Sequence, residues 1–229
     1  MKILFAPYEL QGKSSFSNRQ GALLKFQFQD GSVGYADCHP WAELGDLPLK
    51  EQLSRLRAGT FTPLTDRSLI FAKIDAKARS QQQSLFSNLS IPPSHYLLED
   101  AEQPIPDGFS SVKRKVGKSP SEEIPQVVAL FNRLPKHTKV RLDFTSRLSK
   151  RGVEEYLRAI QKDIGKIDFI EDPFPYDRNS WETIQNNYGV RLACDHQSEK
   201  RLGDTESHCV TVIKPAVQDE QLFCDKYGL

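Results

Sequence analysis

Residues 168–173, Asp168-Phe169-Ile170-Glu171-Asp172-Pro173, set the apolar pair Phe169-Ile170 before two carboxylates and a proline. A segment of this length, bounded by a residue that cannot donate to a ladder, reads as a buried strand. The same construction recurs on both sides of it. Ser111–Val116, Lys139–Phe144, Val190–Cys194 and Val210–Lys214 are further strand candidates, preceded by His95–Leu98. Between them lie stretches of helical period, Glu122–Leu134, Val153–Ile164 and Ser180–Asn187, with another from Asp219. Ser121-Glu122-Glu123 and Ser180-Trp181-Glu182 carry helix-start chemistry. Repeated strand–helix units require parallel strands, because each crossover returns the chain to the same edge. Six such strands suit a doubly wound sheet or a (β/α)8-type barrel. The polar residues decide between them, since a barrel gathers functional groups at the C-terminal ends of its strands. Here five consecutive strands end in Lys115, Asp143, Glu171, Asp195 and Lys214.

The first ninety residues have another texture. Leu23, Leu24, Phe26 and Phe28 run toward Asp30-Gly31, and Val33-Gly34-Tyr35-Ala36 resumes, which signals a β-hairpin. Helices are expected over 48–57, with Leu49, Leu53 and Leu56 in register, and over 68–82. The expected division is an α+β domain over 1–90 and a partial barrel over 91–229.

Composition excludes several classes. With 31 basic and 30 acidic residues the formal net charge is +1, so no long-range field favours nucleic acid or an anionic membrane. Cys38, Cys194, Cys209 and Cys224 are scattered, without metal-ligand spacing, and read as free thiols in a reducing cytoplasm. The sequence contains no signal-like segment and no apolar stretch near membrane-spanning length. A small-molecule substrate is the expected partner.

Any one of the five strand-end residues alone would be an ordinary solvated loop residue. In series they make a site. Three carboxylates from adjacent strands form a hard-oxygen donor set suited to Mg2+, with Mn2+ as an alternative, and no His or Cys shares their strand depth to favour zinc. A lysine is a poor base near its reference pKa of about 10.4. Burial and neighbouring positive charge, from a metal or from Lys113, push it toward neutrality. Lys113 and Lys115 lie two apart on a strand and share a face, whereas Arg114 should point toward the helices.

These residues resemble the enolase superfamily, in its muconate-lactonising-enzyme-like subgroup. Lys113-Arg114-Lys115 is similar to that subgroup's K-x-K motif, Asp143, Glu171 and Asp195 to its metal ligands, and Ile213-Lys214-Pro215 to its second lysine. The segments 18–24 and 34–40 are similar to the capping domain, whose loops close over substrate. With Pro40-Trp41, Gly45-Asp46 and Pro48-Leu49, the chain most resembles the o-succinylbenzoate synthases of menaquinone biosynthesis. The resemblance implies dehydration of a succinyl-hydroxycyclohexadiene carboxylate. Lys115 would remove the proton alpha to the carboxylate, Mg2+ on the three carboxylates would offset the enediolate charge, and Lys214 would act as a cation on the opposite face. Lys113 would contact substrate.

The sequence departs from the family pattern in places. Thr145 stands where the family usually has Asn, and His196 where Glu commonly follows the third ligand. His196 is either a surface histidine or a partner of the metal site. Trp41 and Phe16 are either small-domain core or walls over the substrate. The sequence stops one helix after the sixth strand, so strands seven and eight are expected in residues of the full protein beyond this chain. Two other readings stand beside the first: an N-acylamino-acid racemase or dipeptide epimerase using the same lysines, and an inert metal-binding barrel.

Overall fold

The computed structural model describes residues 1–11, 18–87, 90, 93–201 and 209–214. The chain divides into two compact units, Met1–Ile91 and Pro92–Leu229.

The first unit holds an antiparallel sheet of β1 (Lys2–Leu10), β2 (Arg19–Gln27) and β3 (Val33–Cys38), in that order. The expected hairpin turn is closed at Asp30, whose Oδ1 accepts from Ser32 N–H and Oγ at 2.9 and 2.7 Å, while Gly31 takes φ 81°. Alternate β2 residues Ala22, Leu24 and Phe26 are buried, and pack with Leu49, Leu53 and Leu56 of α1 (Leu49–Arg57). Helix α2 (Pro63–Ser80) begins five residues before the expected start at Ser68. Thr62 caps it by accepting from Thr65 N–H, and Pro63 occupies the first turn, where its missing N–H costs nothing. Gly34 is required where β3 lies on α2: a Cβ there would sit 1.8 Å from the Ala72 carbonyl oxygen.

The second unit is a parallel sheet of β4 (Tyr96–Leu98), β5 (Ser111–Lys115), β6 (Lys139–Asp143), β7 (Ile167–Glu171), β8 (Leu192–Cys194) and β9 (Val210–Thr211), in sequential order. Helices α3 (Pro120–Arg133), α4 (Lys150–Ala159) and α5 (Arg178–Tyr188) form the crossovers. Val112, Val140, Leu142, Ile170 and Leu192 are buried with Val127, Phe131, Val153, Leu157, Trp181 and Ile184. Each such side chain contributes about 1.5–3 kcal/mol by leaving water. This is the α/β class expected from the strand–helix rhythm.

Some boundaries differ from expectation, for local reasons. Ser121 and Ser180 lie inside helices rather than capping them. The α3 start is held by Glu123, whose carboxylate accepts from the N–H groups of Gly117, Lys118 and Ser119 at 2.6, 3.0 and 3.0 Å. The α5 cap is Asp177, which accepts from Ser180 N–H at 2.9 Å. The expected helix 153–164 is α4, starting at Lys150 behind Ser149, followed by a 3-10 turn over Gln161–Lys166. The sixth strand is shorter than 210–214, although Val212 N–H still donates to Cys194 C=O at 3.0 Å. Cys38 and Cys194 are buried free thiols and Cys209 is half-buried. Phe16, Cys224 and the helix expected from Asp219 lie outside the described residues.

Candidate active site

Strand register aligns the strand-end residues. Lys115 is the β5 partner of Asp143 on β6, and Asp143 is the partner of Glu171 on β7. Glu171 pairs with Ala193, two residues before Asp195, and Lys214 follows the short β9. The strand alternation sorts the lysine pair as expected. Arg114 is buried against α3 and donates to the Gln126 side chain, which leaves Lys113 and Lys115 on the other face of β5.

The contacts among these side chains are ionic. Lys113 Nζ donates to both Glu171 oxygens at 2.8 and 2.6 Å and lies 3.1 Å from Asp143 Oδ2. Lys214 Nζ donates to Asp195 Oδ2 at 2.6 Å. Asp143 and Glu171 are each 5% exposed at the side chain, Lys113 16% and Asp195 15%. Burial is the largest influence on Glu171 and raises its pKa to about 7; the Asp143 and Asp195 carboxylates push the same way, and Lys113 opposes them. Burial also works against the charge of Lys113, but the Glu171 and Asp143 carboxylates outweigh it and hold the ammonium above its ordinary range. Lys115 is exposed, and no hydrogen bond or ion pair engages its ammonium among the described residues.

Two features of the site were not foreseen in the sequence. Asp195 Oδ1 is buried and, among the described residues, has no hydrogen-bond partner. Asp172 is 4% exposed. Its two oxygens accept from the N–H groups of Asp195 at 3.1 Å and His196 at 2.9 Å. The signal available was a second carboxylate directly after Glu171, on the opposite side of the strand.

The loops after the strands are tightly wound. Thr145, Ser146, Asp172 and Gln197 have φ of 49, 54, 42 and 58°, a left-handed conformation that is unfavourable for such side chains and clusters at functional sites. Thr145 N–H donates to Asp143 Oδ1 at 3.0 Å, so this position steadies the first carboxylate through its backbone. The His196 side chain is exposed, and its contribution is the amide held by Asp172. In the first unit Trp41 is 43% exposed, with the Arg19 guanidinium 3.8 Å from its ring centroid, which rules out a core role.

The donor chemistry fits a divalent cation: oxygen ligands only, strongly buried, one of them lacking a donor. Among the described residues no three His, Cys, Asp or Glu side chains close on one point as a formed cage, and Lys113 lies between two of the three carboxylates.

Residues 3–78 match the family described as "O-succinylbenzoate synthase, N-terminal domain", and 96–206 match "Enolase C-terminal domain-like". An o-succinylbenzoate synthase from Bdellovibrio bacteriovorus is 32% identical, aligned over all of this chain and 74% of its own length. Among solved structures, o-succinylbenzoate synthase from Thermosynechococcus elongatus, complexed with Mg in its active site, superposes with a TM-score of 0.60 at 20% identity, covering 97% of this chain and 79% of that one. A dipeptide epimerase from Enterococcus faecalis gives 0.67 at 15% identity, covering 99% and 79%. At those identities the structures establish the fold, while the Bdellovibrio relative and the N-terminal match discriminate within it. The chain belongs to the o-succinylbenzoate synthase family of the enolase superfamily.

Proposed function

We propose that the protein is a metal-dependent hydro-lyase that converts a succinyl-hydroxycyclohexadiene carboxylate to o-succinylbenzoate, a step of menaquinone biosynthesis. The observation that supports this reading is the line of Lys115, Asp143, Glu171, Asp195 and Lys214 along adjacent strand ends, in a chain of this family. Asp143, Glu171 and Asp195 would hold Mg2+, or Mn2+ in its place. When bound, the ion supplies positive charge beside the carboxylate whose α-proton is lost. Lys115, exposed and unengaged among the described residues, would accept that proton. Lys214 meets the developing negative charge as a cation, and Lys113 contacts the substrate carboxylate while balancing Glu171. Loss of the proton and of the hydroxyl amounts to loss of water, and the ring becomes aromatic. The unit Met1–Ile91 serves as the family's capping domain, Pro92–Leu229 carries the chemistry, and free thiols suit a cytoplasmic location.

The test is an assay of purified protein with Mg2+ and the cyclohexadiene substrate, followed by absorbance. Dehydration lost in Lys115→Ala supports the reading. Rapid α-deuterium exchange into an N-acylamino acid or dipeptide, without dehydration, would instead indicate a racemase or epimerase.

A further inference from the structure

Asp172 follows Glu171 directly, yet serves its neighbours. Its N–H donates to Ala193 C=O at 2.9 Å, prolonging the β7–β8 ladder, and its C=O accepts from Ser146 N–H at 2.7 Å, in the loop after Asp143. Its side chain accepts the Asp195 and His196 amides. One residue thus ties together the loops that follow all three carboxylate-bearing strands. It does so from a buried position and with φ 42°, a conformation that Asp tolerates better than most residues. On the same residue whose amide Asp172 holds, Oδ2 accepts from Lys214, and Oδ1 is buried and has no hydrogen-bond partner among the described residues.

We propose that Asp172 is a positioning residue for the metal site: by holding the Asp195 and His196 amides it presents Asp195 to the cation, so cation affinity depends on it. This rests on the assignment of Asp143, Glu171 and Asp195 as ligands. Its carbonyl reaches the loop after Asp143 and its carboxylate the loop that holds Asp195. Asp172 is therefore expected to tune affinity in the way that hydrogen-bonded supports of metal ligands do, by about 10- to 100-fold.

The experiment is calorimetric titration of the metal-free full chain with Mg2+ and, separately, Mn2+. Wild type is compared with Asp172→Asn, Asp172→Ala, Asp143→Asn and Asp168→Asn, the last removing a carboxylate from the same strand that faces an unrelated network. Asp172→Asn keeps size and shape but leaves only one acceptor for two N–H groups. The expected result is weaker binding in both Asp172 variants by about 10- to 100-fold, with wild-type affinity in Asp168→Asn. Activity of Asp172→Asn should recover most of its kcat at saturating Mg2+, so the defect lies in the metal requirement. Hydrogen exchange on wild type gives a measure independent of any variant folding: the Asp195 and His196 amides are expected to be protected. Unchanged affinity in folded Asp172→Asn, or rapid exchange at both amides, overturns the inference while leaving the ligand assignment intact. Wild type that binds neither cation, or binding unaffected by Asp143→Asn, overturns the ligand assignment itself.

Discussion

Two ionic clusters share the parallel sheet, and they are resolved differently. At the strand ends, Asp143, Glu171 and Asp195 face Lys113 and Lys214; Glu171 is pushed toward protonation and one oxygen of Asp195 lacks a donor among the described residues. Two residues earlier on β6 and three earlier on β7 sits the second cluster. Arg141 Nε donates to Asp168 Oδ2 at 2.8 Å and Nη1 lies 3.0 Å from His95 Nδ1, while Arg191 donates to the Asp168 side chain and, at 3.2 Å, to its carbonyl. Arg141 also stacks over Phe169, 4.7 Å from the ring centroid. Here one carboxylate is shared by two guanidiniums and the histidine is an acceptor. The contrast teaches that similar charged residues on one sheet can serve opposite ends. A cluster with its demands met supports the fold, and one with burial unmatched by partners is poised for a ligand.

Substitutions can break this contrast. The largest expected effect is at the strand ends: Asp143→Asn or Glu171→Gln should lower kcat by about 1,000-fold, corresponding to about 4 kcal/mol. Thermal unfolding should be unchanged or shifted upward, because each removes a buried like charge. A marked fall in Tm with activity retained would reverse the roles assigned to the two clusters. Next in size, Arg141→Met should destabilise by about 2–3 kcal/mol in urea unfolding, somewhat below the cost of breaking a fully buried pair because Arg141 is partly exposed. Its kcat should stay within about threefold of wild type, a change of less than about 1 kcal/mol in the barrier.

The smallest effect is a titration. Burial, with help from Arg141 and Lys113, lowers the pKa of His95. A group whose folded pKa is depressed below its unfolded value of about 6.5 takes its proton first in the unfolded chain. Stability should therefore fall as pH drops below about 6.5, and His95→Gln should flatten that slope. Ring resonances of His95 followed by NMR should titrate below the ordinary imidazole value of about 6.5; titration at or above it would show that the second cluster is not satisfied as described.

Much of the site was legible in the sequence because strands and their ends are local facts. An apolar run closed by a carboxylate, repeated after each helix, announces both the parallel sheet and the edge where the charges gather. The register that matches Lys115 to Asp143 and Asp143 to Glu171 came from the structure. Helix starts were less legible, since Ser121 and Ser180 carry the right chemistry one turn too late, and Thr62-Pro63 was overlooked before a helix whose apolar period is weak.

Sequence by itself determined the fold class and put the candidate carboxylates and lysines at or near successive strand ends, because both depend on residue type and periodicity along a single strand. Tertiary structure decided which charges meet. Lys113, rather than Lys115, is the lysine that contacts Glu171 and Asp143. It also decided that Asp172, after β7, holds the His196 amide after the neighbouring β8. Those pairings join residues far apart in the chain, and only packed strands bring them within hydrogen-bond reach.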